Sequence, residues 1–376
     1  MTPRSIRSWL RPWSVTLIVS IVYLGVILAA HGGDPRIWST TSADYQSCDD
    51  PGYDPGNTPG GGYIDGQITY FIARDLGAAA DCADVPAYRI QRILLPIAAR
   101  LLALGSPALI PWTLVLINLT ALVGATALLE DLLVQQHVSR WYALVYGLAA
   151  GNLLGLRLST TEPLAFGLIV AAVWFGQRQR IGLLSLMLVL AAFAKEQTLV
   201  FAAGYVLHAL WHRRWTDAVH IGLIVGVPFA LWQLALYQWL GAFGVGSGGE
   251  AASGFEWIPF GGYLRIYTAS GSLAVFLVMS LLIFPAAVLP TLVGLWRIMR
   301  DFVRRNLHPY SWLLLFNAAM MVTLPFTTYR EPLGLLRVMM GLILSYLLYA
   351  ALRFRHTRAL RYTFLWLVLN YYLLAG

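Results

Sequence analysis

The chain has 376 residues, of which 58% are hydrophobic and 12% charged, and its mean hydropathy is +0.65. A water-soluble globule of this length needs more polar surface, which excludes an ordinary cytosolic enzyme. The net charge is +8, from 26 basic and 18 acidic residues, and 25 of the basic residues are arginines. Most of them lie in short segments between apolar runs, as the positive-inside rule predicts for cytoplasmic loops, so this charge does not indicate a nucleic-acid partner.

The apolar runs predict an all-α, polytopic transmembrane bundle that forms one integral membrane domain over residues 1–376. A helix that crosses a bilayer needs about 20 mostly apolar residues. If every basic cluster is cytoplasmic, the parity of the intervening spans places the N-terminus inside and the C-terminus outside. The prediction is about 11 spans in a plasma or inner membrane, at 13–31, 108–129, 141–156, 158–175, 181–194, 197–211, 219–240, 273–295, 311–328, 333–351 and 362–375.

Residues 32–107 form the large first extracytoplasmic loop of this topology. The loop is rich in acidic residues, Gly and Pro, and we expect two interfacial helices within it; the run Ile93–Leu104 is too short to span and contains Arg100. It also holds both cysteines, Cys48 and Cys82. An oxidising compartment favours their pairing, which would close a loop of about 35 residues and stabilise it by roughly 3 to 4 kcal/mol. Two free thiols are the alternative.

The segment Tyr63–Asp75 carries the first candidate site residue. Asp65 and Gly66 open an amphipathic helix in which apolar residues recur at helical spacing, at Ile68, Phe71, Ile72 and Leu76. A carboxylate at such a helix start, on a rigid element at the membrane surface, is suited to act as a general base. The alternative is that Asp65 only caps the helix.

Two arginines follow in the segment Tyr88–Pro96. Arg89 and Arg92 are three residues apart, so they share one face of a predicted helix and can grip a phosphate with forked donors. Snorkelling to lipid headgroups is the alternative role. Either role brings these side chains near membrane lipids or a lipid phosphate.

Further charged residues lie at the outer ends of the predicted spans. A charge against a bilayer is costly unless it is paired or hydrated, so these residues are candidates for a hydrated, outward-facing cavity that binds substrate. Structural pairing within the bundle is the competing explanation. The candidates are Arg157, Glu162, Lys195, Glu196, Arg330, Glu331 and Arg337.

Common cofactor and metal motifs are absent from the sequence, which has no P-loop, no HExxH and no Cys/His zinc pattern. His208 and His212 are four residues apart, but they lack a third ligand and lie at a cytoplasmic helix end. The sequence therefore identifies no certain cofactor.

Residues 1–130 resemble the GT-C glycosyltransferases, integral membrane enzymes that take a sugar from a polyprenyl-phosphate carrier. The segment beginning Asp65-Gly66 is similar to the opening of mannosyltransferase-like members, and the segment YRIQRILLP, which begins at Tyr88, is similar to their second interfacial helix. The rest of the chain matches only in general plan.

The resemblance implies that Asp65 is the catalytic carboxylate of an inverting transfer to an acceptor hydroxyl on a glycan, a lipid or a protein. Many members have two adjacent acids here, whereas Ile64 and Gly66 flank Asp65. Two questions therefore stay open: whether a second acid, Glu162 or Asp75, assists Asp65, and whether a divalent metal is bound. Because the leaving phosphate gains negative charge, we expect fixed cations to stabilise it: Arg89, Arg92, Lys195, Arg330 and Arg337.

Two other classes of function are compatible with the pattern. A secondary transporter of a polar or anionic solute also needs outer charges and many helices, and prolines fall within several predicted spans. Transporters usually show two related halves, however, and no such similarity is evident here. A purely structural or assembly-partner membrane protein is the third possibility.

Overall fold

The computed structural model describes residues 10–39, 65–246, 254–353 and 357–373. Within these ranges the chain is helical and contains no β-strand, which confirms the predicted all-α class. The helices are α1 (Pro12–Ala30), α2 (Asp65–Arg74), α3 (Leu76–Cys82), α4 (Pro86–Ile90), α5 (Leu94–Leu102), α6 (Ile110–Gln135), α7 (Ala143–Gly147), α8 (Ala150–Arg157), α9 (Glu162–Gln177), α10 (Ile181–Ala194), α11 (Leu199–Trp211), α12 (Trp215–Leu240), α13 (Gly261–Ser270), α14 (Leu273–Ile283), α15 (Leu289–Val303), α16 (Pro309–Val322), α17 (Phe326–Arg330), α18 (Pro332–Val338), α19 (Met340–Leu348) and α20 (Thr357–Thr363).

Short 3-10 and π segments connect several of these helices. The 3-10 segments are Pro35–Trp38, Arg140–Tyr142, Glu196–Thr198 and Phe364–Leu373. The π segments are Phe284–Val288, which joins α14 to α15, and Tyr349–Arg353, which extends α19.

In the described part of the chain, five helical stretches are long and apolar enough to cross a membrane: Pro12–Ala30, Ile110–Gln135, Trp215–Leu240, Leu273–Val303 and Pro332–Leu352. The helices α9, α10 and α16 are apolar but shorter. The predicted total of 11 spans is not confirmed and stays a prediction. One reason is that the stretch predicted at 141–156 is divided by a break between α7 and α8.

The membrane character is visible in how the long helices distribute their apolar side chains. Only 17% of the α1 stretch is buried against the rest of the chain, whereas 78% of the stretch Pro332–Leu352 is buried. Since α1 has a similarly apolar composition, its large unburied apolar surface supports a membrane location. The core forms where α8, α9, α16 and α19 meet, and α1, α12 and α14 lie at the rim.

The α9–α10 hairpin separates two groups of charges at opposite ends of the bundle. Arg178, in the turn between these helices, pairs with Asp131 at a distance of 2.8 Å. At the other end, Glu162 begins α9 and Lys195 follows α10, and their side chains also pair. The turn arginines and Lys195 therefore lie a helix length apart.

Candidate functional site

Helix α2 begins at Asp65 in the structure, and its apolar face is buried as the spacing predicts. Ile68, Phe71 and Ile72 pack with Leu236 of α12 in one cluster. Leu76, the fourth residue of the predicted stripe, borders this cluster but belongs to the start of α3. The side chain of Asp65 lies outside the described residues, so both its catalytic and its capping role stay predictions.

The start of α2 is docked against the turn that precedes α9. A Cβ atom built on Gly66 would lie 1.4 Å from the carbonyl oxygen of Leu158, so no larger residue fits at this position. Asn118 of α6 fixes the same turn by donating from Nδ2 to the Thr160 carbonyl oxygen, at 2.9 Å. The backbone of Asp65–Gly66 is thereby held beside the first turn of α9.

A narrow cleft lies between α2, α4 and the start of α9. Its walls combine one apolar face with hydroxyl and charged groups. The lining residues are Ile68, Thr69, Ile72, Arg89, Arg92, Thr160, Thr161 and Glu162. Three predicted site residues, Arg89, Arg92 and Glu162, are therefore brought together.

Each arginine of the cleft is paired with a carboxylate. Arg89 donates from Nε and Nη2 to the two carboxylate oxygens of Asp84, both at 2.8 Å. Arg92 donates to Glu196 at 2.8 and 2.6 Å and to the Tyr88 hydroxyl at 2.7 Å. Both arginine side chains are only 9% exposed. The two guanidinium groups are therefore paired within the protein and do not extend freely to lipid headgroups.

The predicted sharing of one helix face by the two arginines is wrong. Helix α4 ends at Ile90, and Arg92 lies beyond its end, in the segment that leads into α5. At the end of this helix, Trp232 and Gln233 of α12 donate to the carbonyl oxygen and to Oε1 of Gln91, at 3.2 and 3.3 Å. Tertiary packing therefore overrides the helical spacing, although both side chains still reach the cleft.

Glu196 is ionised in spite of its burial. Burial opposes the charged form, but the guanidinium of Arg92 and the ammonium of Lys195 outweigh that effect and hold the pKa of Glu196 below its usual value. Glu196 lies in the 3-10 segment after α10, so it links this helix end to Arg92. The predicted site residue Glu196 thus contacts the cleft through Arg92.

Glu162 is the most buried charge of the site. Its side chain is 1% exposed, and its Oε1 atom lies 2.6 Å from Lys195 Nζ and 3.8 Å from Arg337 Nη1. Arg337 belongs to α18, which approaches α8 closely at Gly151. This approach needs a glycine, because an added Cβ would lie 2.2 Å from the Leu336 carbonyl oxygen. Three predicted residues, Glu162, Lys195 and Arg337, therefore form one buried group.

Two candidates from the sequence lie elsewhere. Arg330 is exposed, and its guanidinium lies 5.6 Å from the centre of the Phe326 ring rather than in the cleft wall. Asp75 caps α3 by accepting hydrogen bonds from the backbone N–H groups of Gly77 and Ala78, at 2.9 and 3.1 Å. Of the two possible second acids, only Glu162 lines the cleft.

The sequence did not identify four residues of the site: Asp84, Tyr88, Thr160 and Thr161. One usable signal was present for Tyr88, which is four residues before Arg92 and lies under its guanidinium at 4.5 Å. The two threonines gave no signal, since only their place in the turn before α9 brings them to the cleft.

Metal and disulfide chemistry depend partly on residues outside the described ranges. Among the described residues, no three His, Cys, Asp or Glu side chains form a group that could hold a metal ion. Glu162 already faces two cations, which a divalent metal would have to displace. Cys48 and the side chain of Cys82 lie outside the described residues, so the disulfide stays a prediction.

Comparison with known proteins gives no relative: no family model matches the chain, and no curated protein and no solved structure matches it.

Proposed function

We propose that this protein is a membrane glycosyltransferase of the GT-C type, which moves a sugar from a polyprenyl-phosphate donor to an acceptor hydroxyl with inversion. The observation that carries this proposal is the docking of the α2 start on the turn before α9. This docking supports the proposal because Gly66, next to Asp65, abuts Leu158 at the start of the turn whose Thr160, Thr161 and Glu162 line the cleft together with Arg89 and Arg92. A general base and fixed cations are the two components that such a transfer needs.

In the proposed reaction the acceptor hydroxyl transfers its proton to the Asp65 carboxylate as its oxygen attacks the anomeric carbon. The new carbon–oxygen bond forms while the bond from this carbon to the donor phosphate oxygen breaks, and the electron pair leaves with the phosphate. Attack from the side opposite to the leaving group inverts the anomeric configuration. One positioned general base typically contributes about 10²- to 10⁴-fold to the rate.

The charge of the site suits an anionic leaving group. Four cations, Arg89, Arg92, Lys195 and Arg337, are accompanied by the carboxylates of Asp84, Glu162 and Glu196. With the proposed Asp65 carboxylate the charges balance, and one positive charge is in excess once Asp65 has taken the acceptor proton. These groups are mostly buried, so water weakens their field only partly. Fixed cations in such surroundings stabilise charge that develops in a transition state without having to reorganise.

The proposal places the cleft on the extracytoplasmic side of a plasma or inner membrane, with the N-terminus in the cytoplasm. Two observations support this orientation: Arg178 and Asp131 pair at the end of the bundle that is opposite to the cleft, and Arg213 and Arg214 precede α12 at that same end. Nucleotide sugars are not available outside the cytoplasm, so the donor has to be lipid-borne. The acceptor is a glycan, a lipid or a protein.

A secondary transporter is the second candidate, because α7–α8 and α18–α19 are broken helices that pack together. Broken helices near the midplane often form transport sites through their freed backbone groups. Here the Leu148 carbonyl oxygen at the first break accepts a hydrogen bond from Asn370 Nδ2, at 2.9 Å. Because this break is filled by the protein itself, the enzyme is the better supported of the two functions.

The test compares Asp65→Asn with Asp34→Asn, the same substitution in a side chain that forms an exposed pair with Arg36. Purified protein in nanodiscs is incubated with radiolabelled polyprenyl-phosphate sugars and a membrane extract as the source of acceptor. Transfer should fall about 10²-fold or more for Asp65→Asn and stay unchanged for Asp34→Asn. Undiminished transfer by a folded Asp65→Asn variant removes this residue from the mechanism. Flux of a labelled solute into proteoliposomes, without transfer activity, favours the transporter.

A further inference from the structure

The segment between α12 and α13 presents three large apolar side chains to the outside. Phe255, Trp257 and Ile258, which we call the apolar tip, are 64%, 93% and 68% exposed. A water-soluble surface seldom leaves a cluster of this size uncovered, since exposed apolar patches usually mark an interaction surface. The charged residue within the tip, Glu256, is paired with Arg265 of α13 at 2.6 Å.

The backbone of the tip is fixed, so its side chains are held in this outward position. Glu256 N–H donates to the Thr323 carbonyl oxygen at 3.0 Å, and Phe260 N–H donates to the Val322 carbonyl oxygen at 2.8 Å. Gly262 abuts the next turn, where an added Cβ would lie 2.4 Å from the Leu324 carbonyl oxygen. The exposed side chains therefore project from a supported loop.

The tip lies at the same end of the bundle as the cleft. Helix α12 begins beside the basic pair Arg213 and Arg214, and its other end contacts the cleft wall, where Trp232 Nε1 donates to the Gln91 carbonyl oxygen at 3.2 Å. The tip itself is hydrogen-bonded to Val322 and Thr323 at the end of α16, and α17 and α18 lead from there to Arg337, which faces Glu162 of the cleft. The tip thus leaves the bundle at the level of the cleft.

The apolar surface of the tip continues onto a helix that is long enough to span a membrane. Helices α13 and α14 are joined by a hydrogen bond between the hydroxyls of Tyr263 and Ser280, at 2.6 Å. Beyond this contact, α14 exposes Leu277, Val278 and Leu281, within the candidate span Leu273–Val303. The exposed side chains of α13 that connect the two are Leu264 and Tyr267.

We infer that the apolar tip inserts into the leaflet at the cleft end of the bundle and binds its lipids at the level of the headgroups. Trp and Tyr prefer this interfacial depth, where an aromatic ring meets acyl chains and its polar atom meets water. The short helix α13, with Arg265 held by Glu256 beside its apolar residues, has the arrangement of a helix that lies in the interface. The inference does not depend on the glycosyltransferase proposal.

The insertion is tested by ¹⁹F NMR of the full chain labelled with 5-fluorotryptophan in lipid nanodiscs. The resonance that Trp257→Phe removes is identified as Trp257, and the buried Trp38 is identified in the same way as a control. A doxyl-labelled phospholipid should broaden the Trp257 resonance severalfold more than a water-soluble gadolinium chelate does. The Trp38 resonance should respond weakly to both agents.

Two outcomes overturn the inference. Stronger broadening by the chelate shows that the tip lies in water, where a soluble partner would have to cover it. Weak broadening by both agents shows that another surface of the protein, such as a second copy, covers the tip. Because no sugar transfer is measured, a failure of the proposed function leaves this result unaffected.

Discussion

Neutralising Glu162 should destabilise the protein more than removing Lys195, although the two side chains form one ion pair. Glu162 Oε1 lies between two cations, 2.6 Å from Lys195 Nζ and 3.8 Å from Arg337 Nη1. Glu162→Gln leaves these two cations facing each other without the carboxylate. Lys195→Met leaves Glu162 still opposed by Arg337, so the buried charge keeps a partner.

The expected sizes follow from the burial of the pair. Removing one partner of a buried ion pair typically costs about 3–5 kcal/mol, because the other charge stays buried without compensation. Glu162 and Lys195 are 1% and 6% exposed, so we apply this range to Glu162→Gln. For Lys195→Met we expect roughly 1–3 kcal/mol, since Arg337 retains part of the attraction. The double variant removes one charge of each sign and should be more stable than Glu162→Gln alone.

The assay is thermal unfolding of the purified protein in detergent, followed by intrinsic fluorescence, for the wild type, both single variants and the double variant. The control is Asp34→Asn, whose partner Arg36 is largely exposed, and it should leave Tm almost unchanged. The reasoning is refuted if Lys195→Met melts below Glu162→Gln, or if the double variant is the least stable of the four.

Two further predictions concern the docking of α2 and the pairing of Arg92. Gly66→Ala should separate α2 from the Leu158 carbonyl and lower both Tm and sugar transfer. The control is Gly222→Ala, whose added Cβ has no atom within 4 Å and which should stabilise α12 by about 0.5–1 kcal/mol. Equal Tm values for the two variants would contradict the docking of α2. Because the pKa of Glu196 is depressed, the pair with Arg92 contributes its full stability above the ordinary value of 4.5 and loses it as the pH falls below that value. The Tm difference between wild type and Glu196→Gln should therefore be constant at neutral pH and become smaller as the pH falls below 4.5. A Tm difference that grows below pH 4.5 would contradict the lowered pKa of Glu196.

The local part of the site could be predicted from the sequence. The recurrence of Ile68, Phe71 and Ile72 gave the helix and its buried face, because apolar spacing is a property of adjacent residues. The parity of the basic clusters also indicated that Glu162, Lys195 and Arg337 lie at one end of the bundle. These inferences need only periodicity and the sign of the charge.

The pairing of the charges could not be predicted in the same way. Arg92 and Glu196 are 104 residues apart, and Glu162 and Lys195 are 33 apart, so each pair depends on how the helices pack. Arg330 was predicted to lie at the same span end as Arg337 but is exposed, because the chain turns between α17 and α18. The lengths of the helices could not be predicted either, because the short apolar helices α9, α10 and α16 are similar in composition to the long ones.

The sole lysine of the chain lies in the most buried ion pair of the described residues, and the packing gives a physical reason. A single oxygen of Glu162 faces both Lys195 and Arg337, at 2.6 and 3.8 Å. An ammonium is a compact point charge, whereas a guanidinium is a planar fork that matches both oxygens of a carboxylate, as Arg92 does with Glu196. A second guanidinium at position 195 would compete with Arg337 for the same oxygen. Lys195 and Arg337 together therefore exceed the charge of Glu162 by one positive charge, behind the cleft wall that Glu162 forms.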